Sequence, residues 1–365
     1  MRHRAGSRAV RLARRTRDSA GAAVLAADCG GIVEELEERF MKAIVRTRYG
    51  PPDVLQFTEV EKPAPKDHEV LIKVYAASVN PMDLFCMRGA PLFRLIPGLR
   101  TPKQKGLGAD IAGRVEAVGR DAKQFQPGDE VFGVAKDLAG FADYVCTPED
   151  RLARKPANIS FEDSAAVPIA AITALQGLRD QGRIQAGHRV LIDGASGGVG
   201  TFAVQIAKSF GAEVTAVCST RNVDTARSLG ADQVMDYTRE DFTKSGQRYD
   251  LILAANAHHS IFDYRRALSR DGIFVIVGGG LPRVLQAVLL APLVSRMGSK
   301  KTCFFIAKMN QKDLVCLKDL LEAGKIVAVI DRRYPLSDTA GALRYLEERH
   351  AQGKVVLSVE HRNGT

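Results

Sequence analysis

The feature that most limits how this chain can fold is a short apolar run that empties into glycine. Arg189-Val-Leu-Ile-Asp193 is followed by Gly194-Ala195-Ser196-Gly197-Gly198-Val199-Gly200, and then by the helical stretch Phe202 to Phe210. The same alternation continues on both sides. Ala165 to Leu178 reads as a helix before it. After it come a strand at Glu213 to Cys218, a helix near Asp224 to Leu229, and a strand at Gln233 to Asp236. Tyr249 to Ala254 is a strand, Tyr264 to Leu268 a helix and Gly272 to Val277 a strand. Short apolar strands alternating with helices predict an α/β fold built on a parallel, doubly wound sheet.

The glycine run itself predicts a dinucleotide site. A glycine run can also serve plain turns, but here a strand precedes it, a helix follows, and the next strand begins thirteen residues beyond Gly200. Ala195 permits the tight turn, Gly197 lets the backbone approach a pyrophosphate, and Gly200 allows helix to pack on strand. Ser196, Gly198 and Val199 complete the loop, and the helix end offers free N–H groups to the phosphates. The second strand ends in Ser219-Thr220-Arg221, where an NAD-preferring site usually carries Asp or Glu for the ribose. Hydroxyls and Arg221 suit a 2′-phosphate, so NADP(H) is the expected cofactor. Asp193 and Asp224 do not occupy the ribose-reading position in this register.

Residues 41 to about 165 differ in texture: Val70 to Tyr75, Ile111 to Val118 and Asp129 to Gly133 are β-like runs broken by turns, predicting a twisted, partly barrel-like β domain. Ile326 to Ile330 and Val355 to Val359 read as strands again, so the chain is expected to return to that domain. The expected division is therefore 1–40 as an extension, 41–165 with 325–365 as the β-rich domain, and 166–324 as the cofactor domain. The extension has seven arginines and no acid between Met1 and Arg17. It reads as disordered or as preceding a true start at Met41, with an organellar transit peptide as the alternative.

Composition narrows the class without deciding it. A net charge of +10 comes with no nucleic-acid-binding motif, so no nucleic-acid partner is expected. Six scattered cysteines without a Cys-x-x-Cys pair read as reduced residues of an intracellular, cytoplasmic protein. No apolar run reaches the length of a membrane span. Leu281 to Ser299 has few charges, and reads as an amphipathic helix buried against protein; a peripheral membrane contact is the alternative.

Several ordered motifs together resemble a known family. Asn80-Pro-Met-Asp83, Gly108-Ala-Asp-Ile-Ala-Gly-Arg-Val115, Phe125-Gln-Pro-Gly-Asp-Glu-Val131 and the glycine loop are similar to the zinc-independent quinone oxidoreductase-like branch of the medium-chain dehydrogenase/reductase superfamily. The resemblance implies a GroES-like catalytic domain, a Rossmann domain, a cofactor between them and a homodimer. Asn80 and Ala109 stand where the zinc-dependent branch has Cys and His, so no metal is expected. Position by position, it makes Asn80 a polar group at the substrate end and puts Thr173 near the nicotinamide. Tyr237 would flank the 2′-phosphate with Ser219 and Arg221. Asn256, Gly278 and Gly279 would border the cofactor. Two departures are Phe85, where some members have Tyr, and Ala255-Asn-Ala-His258, where Asp-x-x-Gly is common.

Without a metal, the electrophile must be activated by hydrogen bonds or be reactive itself, which suits quinones and α,β-unsaturated carbonyls. The expected reaction is hydride delivery to such a small molecule, with Asn80 donating to its oxygen and solvent supplying the proton. An NAD(P)-dependent alcohol dehydrogenase and a low-turnover cofactor-binding scaffold remain the alternatives.

Overall fold

The computed structural model describes residues 39–89, 101–296, 298–348 and 351–361. The expectations for the N-terminal extension, and Cys29 with it, therefore fall outside the described residues except at Arg39 and Phe40. β1 (Phe40–Arg46) and β2 (Leu55–Glu61) form a two-stranded sheet. Residues 39–42 and 59–62 belong to a unit distinct from the rest, and exposed Arg39–Glu61 and Lys42–Glu59 ion pairs lie within it.

The larger unit contains two sheets. β3 (Glu69–Val79), β4 (Asp110–Val118), β5 (Glu130–Val134), β6 (Tyr144–Pro148) and β7 (Leu152–Arg154) belong to a seven-stranded sheet. The second sheet has six strands, β8 (Arg189–Asp193), β9 (Glu213–Cys218), β10 (Gln233–Asp236), β11 (Tyr249–Ala254), β12 (Leu268–Ile276) and β13 (Lys301–Phe304). All of its pairings are parallel, in the order β10-β9-β8-β11-β12-β13. β14 (Ile330–Pro335) and β15 (Lys354–Ser358) then return to the first sheet, whose order is β14-β15-β3-β4-β5-β7. The chain is thus mixed α/β, with a GroES-like β-rich part and a Rossmann-type parallel sheet.

The helices are α1 (Pro81–Arg88), α2 (Phe161–Ala165), α3 (Pro168–Gln176), α4 (Gly198–Ser209) and α5 (Val223–Ser228), then α6 (Ile261–Ala267), α7 (Leu281–Val294), α8 (Gln311–Glu322) and α9 (Thr339–Glu347). The single helix expected over 165–178 is broken at Pro168. That residue has no N–H to continue a ladder but is well placed to begin one, so α3 starts there. The strand expected at 326–330 is displaced: β14 begins only at Ile330. At Val327 both backbone groups are instead satisfied by one side chain, Gln205 of α4, which accepts from its N–H at 2.8 Å and donates to its carbonyl at 3.0 Å. One core runs from Ala76, Ala112 and Phe132 of the first sheet through α3 to Val190 and Ile192 of the second, so the two sheets share buried side chains.

Candidate active site

In a doubly wound sheet the strand order reverses at one point, and loops on either side leave a crevice there. Here the reversal lies between β8 and β11, and the glycine loop is at its rim. Gly194 takes φ +80°, a left-handed turn that suits glycine. Ala195 is buried, and its N–H donates to the Val217 carbonyl at 3.0 Å, pinning the loop to β9. α4 then begins at Gly198 with no acidic residue in its first turn, so its N–H groups and positive dipole end face the loop. Ser196 and Val199 are half-buried beside it.

Two glycines have opposite roles in this loop. A Cβ on Gly200 would lie 2.0 Å from the Gly194 carbonyl oxygen, so that glycine is needed for the helix to close on the loop. A Cβ on Gly197 would meet only the Gly194 oxygen, at 3.6 Å. The space above Gly197 is therefore open from the protein's side, as a pyrophosphate cradle requires, and the residues fit a dinucleotide.

The neighbouring rim is formed by the ends of β9 and β10. The Tyr237 N–H donates to the Cys218 carbonyl at 3.0 Å, which brings Tyr237, 60% exposed, beside half-buried Ser219 and exposed Arg221. Asn222 is buried and donates to Ser219 Oγ at 3.0 Å, while its own Oδ1 has no protein partner among the described residues. A ligand hydroxyl could satisfy that oxygen. Sequence reasoning missed a carboxylate here. Asp236 accepts from the hydroxyls of Thr220 at 2.5 Å and Thr238 at 2.7 Å. The Thr220 hydrogen bond, aided by those of Thr238 and the charge of Arg239, holds its pKa below the usual carboxylate range. Thr220 is thus committed to Asp236.

Across the crevice, Asn256 lies against Gly194. Gly278 and Gly279 serve packing between two loops: a Cβ on Gly278 would lie 2.3 Å from the Ala255 carbonyl oxygen, and Ala257 donates to Gly278 O at 3.0 Å.

The most consequential group is a buried polar cluster that sequence reasoning saw only in part. Asn80, Asp110 and Lys354 are all buried. The Lys354 ammonium donates to Asn80 Oδ1 at 2.7 Å and to Asp110 Oδ2 at 3.2 Å. Asn80 Nδ2 donates to Asp110 Oδ2 at 2.9 Å and, more weakly, to the Ser78 carbonyl at 3.4 Å. Ser78 Oγ and the Ile169 N–H complete the donors to Asp110. An ammonium on one side and a carboxylate on the other fix which end of the Asn80 amide is oxygen. Lys354 also lies across the glycine loop: a Cβ on Gly198 would meet its Cδ at 2.9 Å, and Gly197 bridges Gly353. Thr173 sits one turn along α3 from Ile169, and its hydroxyl donates to the Ile169 carbonyl at 2.7 Å.

Two family models match: the alcohol dehydrogenase GroES-like domain over residues 66–157, and the zinc-binding dehydrogenase over residues 229–357. The mouse NAD(P)H oxidoreductase RTN4IP1, mitochondrial, is 33% identical, with 87% of this chain and 89% of that protein covered. The Arabidopsis thaliana NADPH-dependent alkenal/one oxidoreductase, chloroplastic, is 34% identical, covering 87% and 79%. The solved quinone oxidoreductase from Coxiella burnetii superposes with a TM-score of 0.78 at 31% identity, covering 88% of this chain and all of that one. The chain belongs to the quinone oxidoreductase-like branch of the medium-chain dehydrogenase/reductase superfamily. It is an oxidoreductase using a nicotinamide cofactor.

The name of the second family model implies zinc, and the side chains of this oxidoreductase do not fit it. Asn80 Oδ1 already faces an ammonium, and Ala109 has no donor atom. Among the described residues no group of three His, Cys, Asp or Glu side chains is arranged to hold a metal ion.

Asp193, at the end of β8, is a second buried carboxyl that sequence reasoning set aside. It accepts from the Tyr264 hydroxyl. Burial pushes its pKa up to about 7, against the lowering effects of Tyr264 and the Gly194 N–H. A folded pKa above the unfolded value of about 3.9 means that the native state holds the proton more tightly. The stability this confers is full below about pH 4 and is lost as pH rises through about 7. Asp193→Asn, which keeps an oxygen for Tyr264, is therefore expected to flatten the fall in urea midpoint between about pH 5 and 8. Equal slopes in the two proteins would refute the assignment.

Proposed function

We propose that this oxidoreductase reduces quinones or α,β-unsaturated carbonyls with NADPH, without a metal ion. The observation that carries the reading is the Asn80 amide, clamped between Lys354 and Asp110 at the edge of the glycine loop. Its 3.4 Å bond to Ser78 is the one that a substrate oxygen can replace at little cost. Lys354 on Oδ1 polarises the amide and strengthens the remaining N–H as a donor. When bound, the nicotinamide supplies the hydride. The chain's own part is to orient the two reactants and to stabilise charge developing on the substrate oxygen. Thr173, on α3 with its hydroxyl proton engaged by the Ile169 carbonyl, is assigned a shaping role. The names of the Arabidopsis alkenal/one and Coxiella quinone enzymes support the substrate class.

NADPH is preferred in this reading because Ser219 and Arg221 follow the end of β9 and Tyr237 the end of β10, where the Tyr237 N–H bonds the Cys218 carbonyl. Ala195, Ser196, Gly197, Gly198, Val199 and Gly200 would hold the pyrophosphate, with Asn256, Gly278 and Gly279 on the far side. A charge-assisted hydrogen bond is worth about 1.5–3 kcal/mol, so Arg221→Ala should raise the KM for NADPH about 10- to 100-fold. The KM for NADH should barely move. Steady-state rates with both cofactors against quinones, enones and aldehydes test this; equal sensitivity of the two cofactors would overturn it. The reading also includes a homodimer and a cytoplasmic setting. β13 stands at the sheet edge, where a second copy could add its own β13.

A further inference from the structure

We propose that α7 docks this protein onto the surface of an anionic lipid bilayer, beside the mouth of the candidate active site. The helix carries Leu285 (49% exposed), Val288 (49%), Leu289 (72%) and Leu293 (59%). These positions, at i, i+3, i+4 and i+8, share one face of a helix. The opposite side is anchored, with Ala291 and Val294 buried in the core beneath β11 and β12. Among the described residues this face is left exposed.

Charge points to the occupant. α7 contains no Asp or Glu, and Arg283 lies within it while Arg296, Lys300 and Lys301 follow its end. An anionic bilayer accepts the leucines among its acyl chains and the cations among its headgroups. At 14 residues the helix spans about 21 Å, short of the roughly 30 Å hydrocarbon core, so it would lie on the membrane rather than cross it. α7 begins directly after Gly278 and Gly279, at the strand ends that border the glycine loop. Its position suits a substrate dissolved in the bilayer, a point that rests on the reductase reading and narrows it to apolar quinones or enones.

The test is co-sedimentation of the full chain with phosphatidylcholine vesicles, with and without about 30% phosphatidylglycerol. Binding is expected only to the anionic vesicles. The bound fraction should fall about tenfold at high salt, and likewise in the combined variant Leu285→Gln, Leu289→Gln, Leu293→Gln. That variant should melt as the wild type does and reduce a short-chain, water-soluble quinone at the same rate without vesicles. No binding at low salt, or undiminished binding by the variant, would overturn the proposal. So would a wild-type dimer that the variant dissociates in sedimentation velocity, since a second copy would then cover the face. Failure of both proteins to reduce any quinone in solution would overturn the reductase reading, while vesicle binding would still establish the docking.

Discussion

Asp110→Ala is expected to lower the free energy of unfolding by about 3–5 kcal/mol, the cost of leaving a buried charge without its partner. Asp110 and Lys354 are both buried, and the carboxylate collects hydrogen bonds from Ser78, Asn80, Ile169 and Lys354. Removing it strands an ammonium that keeps only Asn80 Oδ1. The double variant Asp110→Ala, Lys354→Met should recover much of the loss, because a paired deletion leaves no charge behind. It should not recover activity, since Asn80 would lose both groups that orient its amide. Urea titrations of wild type, single and double variants give the stabilities, and turnover with NADPH gives the second readout. A single-variant loss under about 1 kcal/mol would show that water reaches the cluster and screens it.

Gly200→Ala is expected to weaken NADPH binding by about a hundredfold or more, because displacements of about 1 Å at such sites have effects of that size. The added methyl would stand 2.0 Å from the Gly194 oxygen and 2.7 Å from Ala195 Cα. Both are backbone atoms, with no flexible side chain to give way, so helix and loop must separate and the protein should also melt earlier. Gly197→Ala supplies the contrast. Its methyl meets nothing closer than 3.6 Å, and its φ of −82° suits alanine. Stability should hold or rise slightly, while NADPH affinity falls because the methyl occupies the approach of the phosphates. Fluorescence titration with NADPH and thermal melts separate the two cases. Unchanged binding by the Gly197 variant would remove this loop as the pyrophosphate cradle.

Both predictions bear on one junction. Lys354 lies against Gly198 and reaches Asn80 and Asp110, so the loop that would hold the phosphates and the amide that would meet the substrate share a single side chain. A shift of α4 is thereby expected to disturb the Asn80 clamp as well as the cofactor.

What the sequence determined by itself is the local and periodic part of this protein. β8, β9, β10 and β11 lie where their apolar runs were read. β8, β9 and β11 are interior strands of a parallel sheet, buried on both faces and so legible as apolar segments, whereas the edge strand β10 shows only as the short Val234-Met235 pair. The glycine loop was legible for the same reason: its residues are contiguous, and each answers to a local demand of turn, approach or packing. Tertiary structure alone decided the rest. Asn80, Asp110 and Lys354 are separated by 30 and 244 residues, and meet because β15 pairs with β3 and β3 with β4. No spacing rule connects three positions whose neighbourhood is set by strand order. In the sequence Lys354 merely precedes the apolar run from Val355; burial beside Asp110 makes it part of the site. Asp236 joins the site only because Thr220 faces it, and Val327 lies outside β14 with its backbone groups bonded to Gln205 instead. The apolar residues of α7 mark it as amphipathic, but only packing decides which of them are exposed among the described residues.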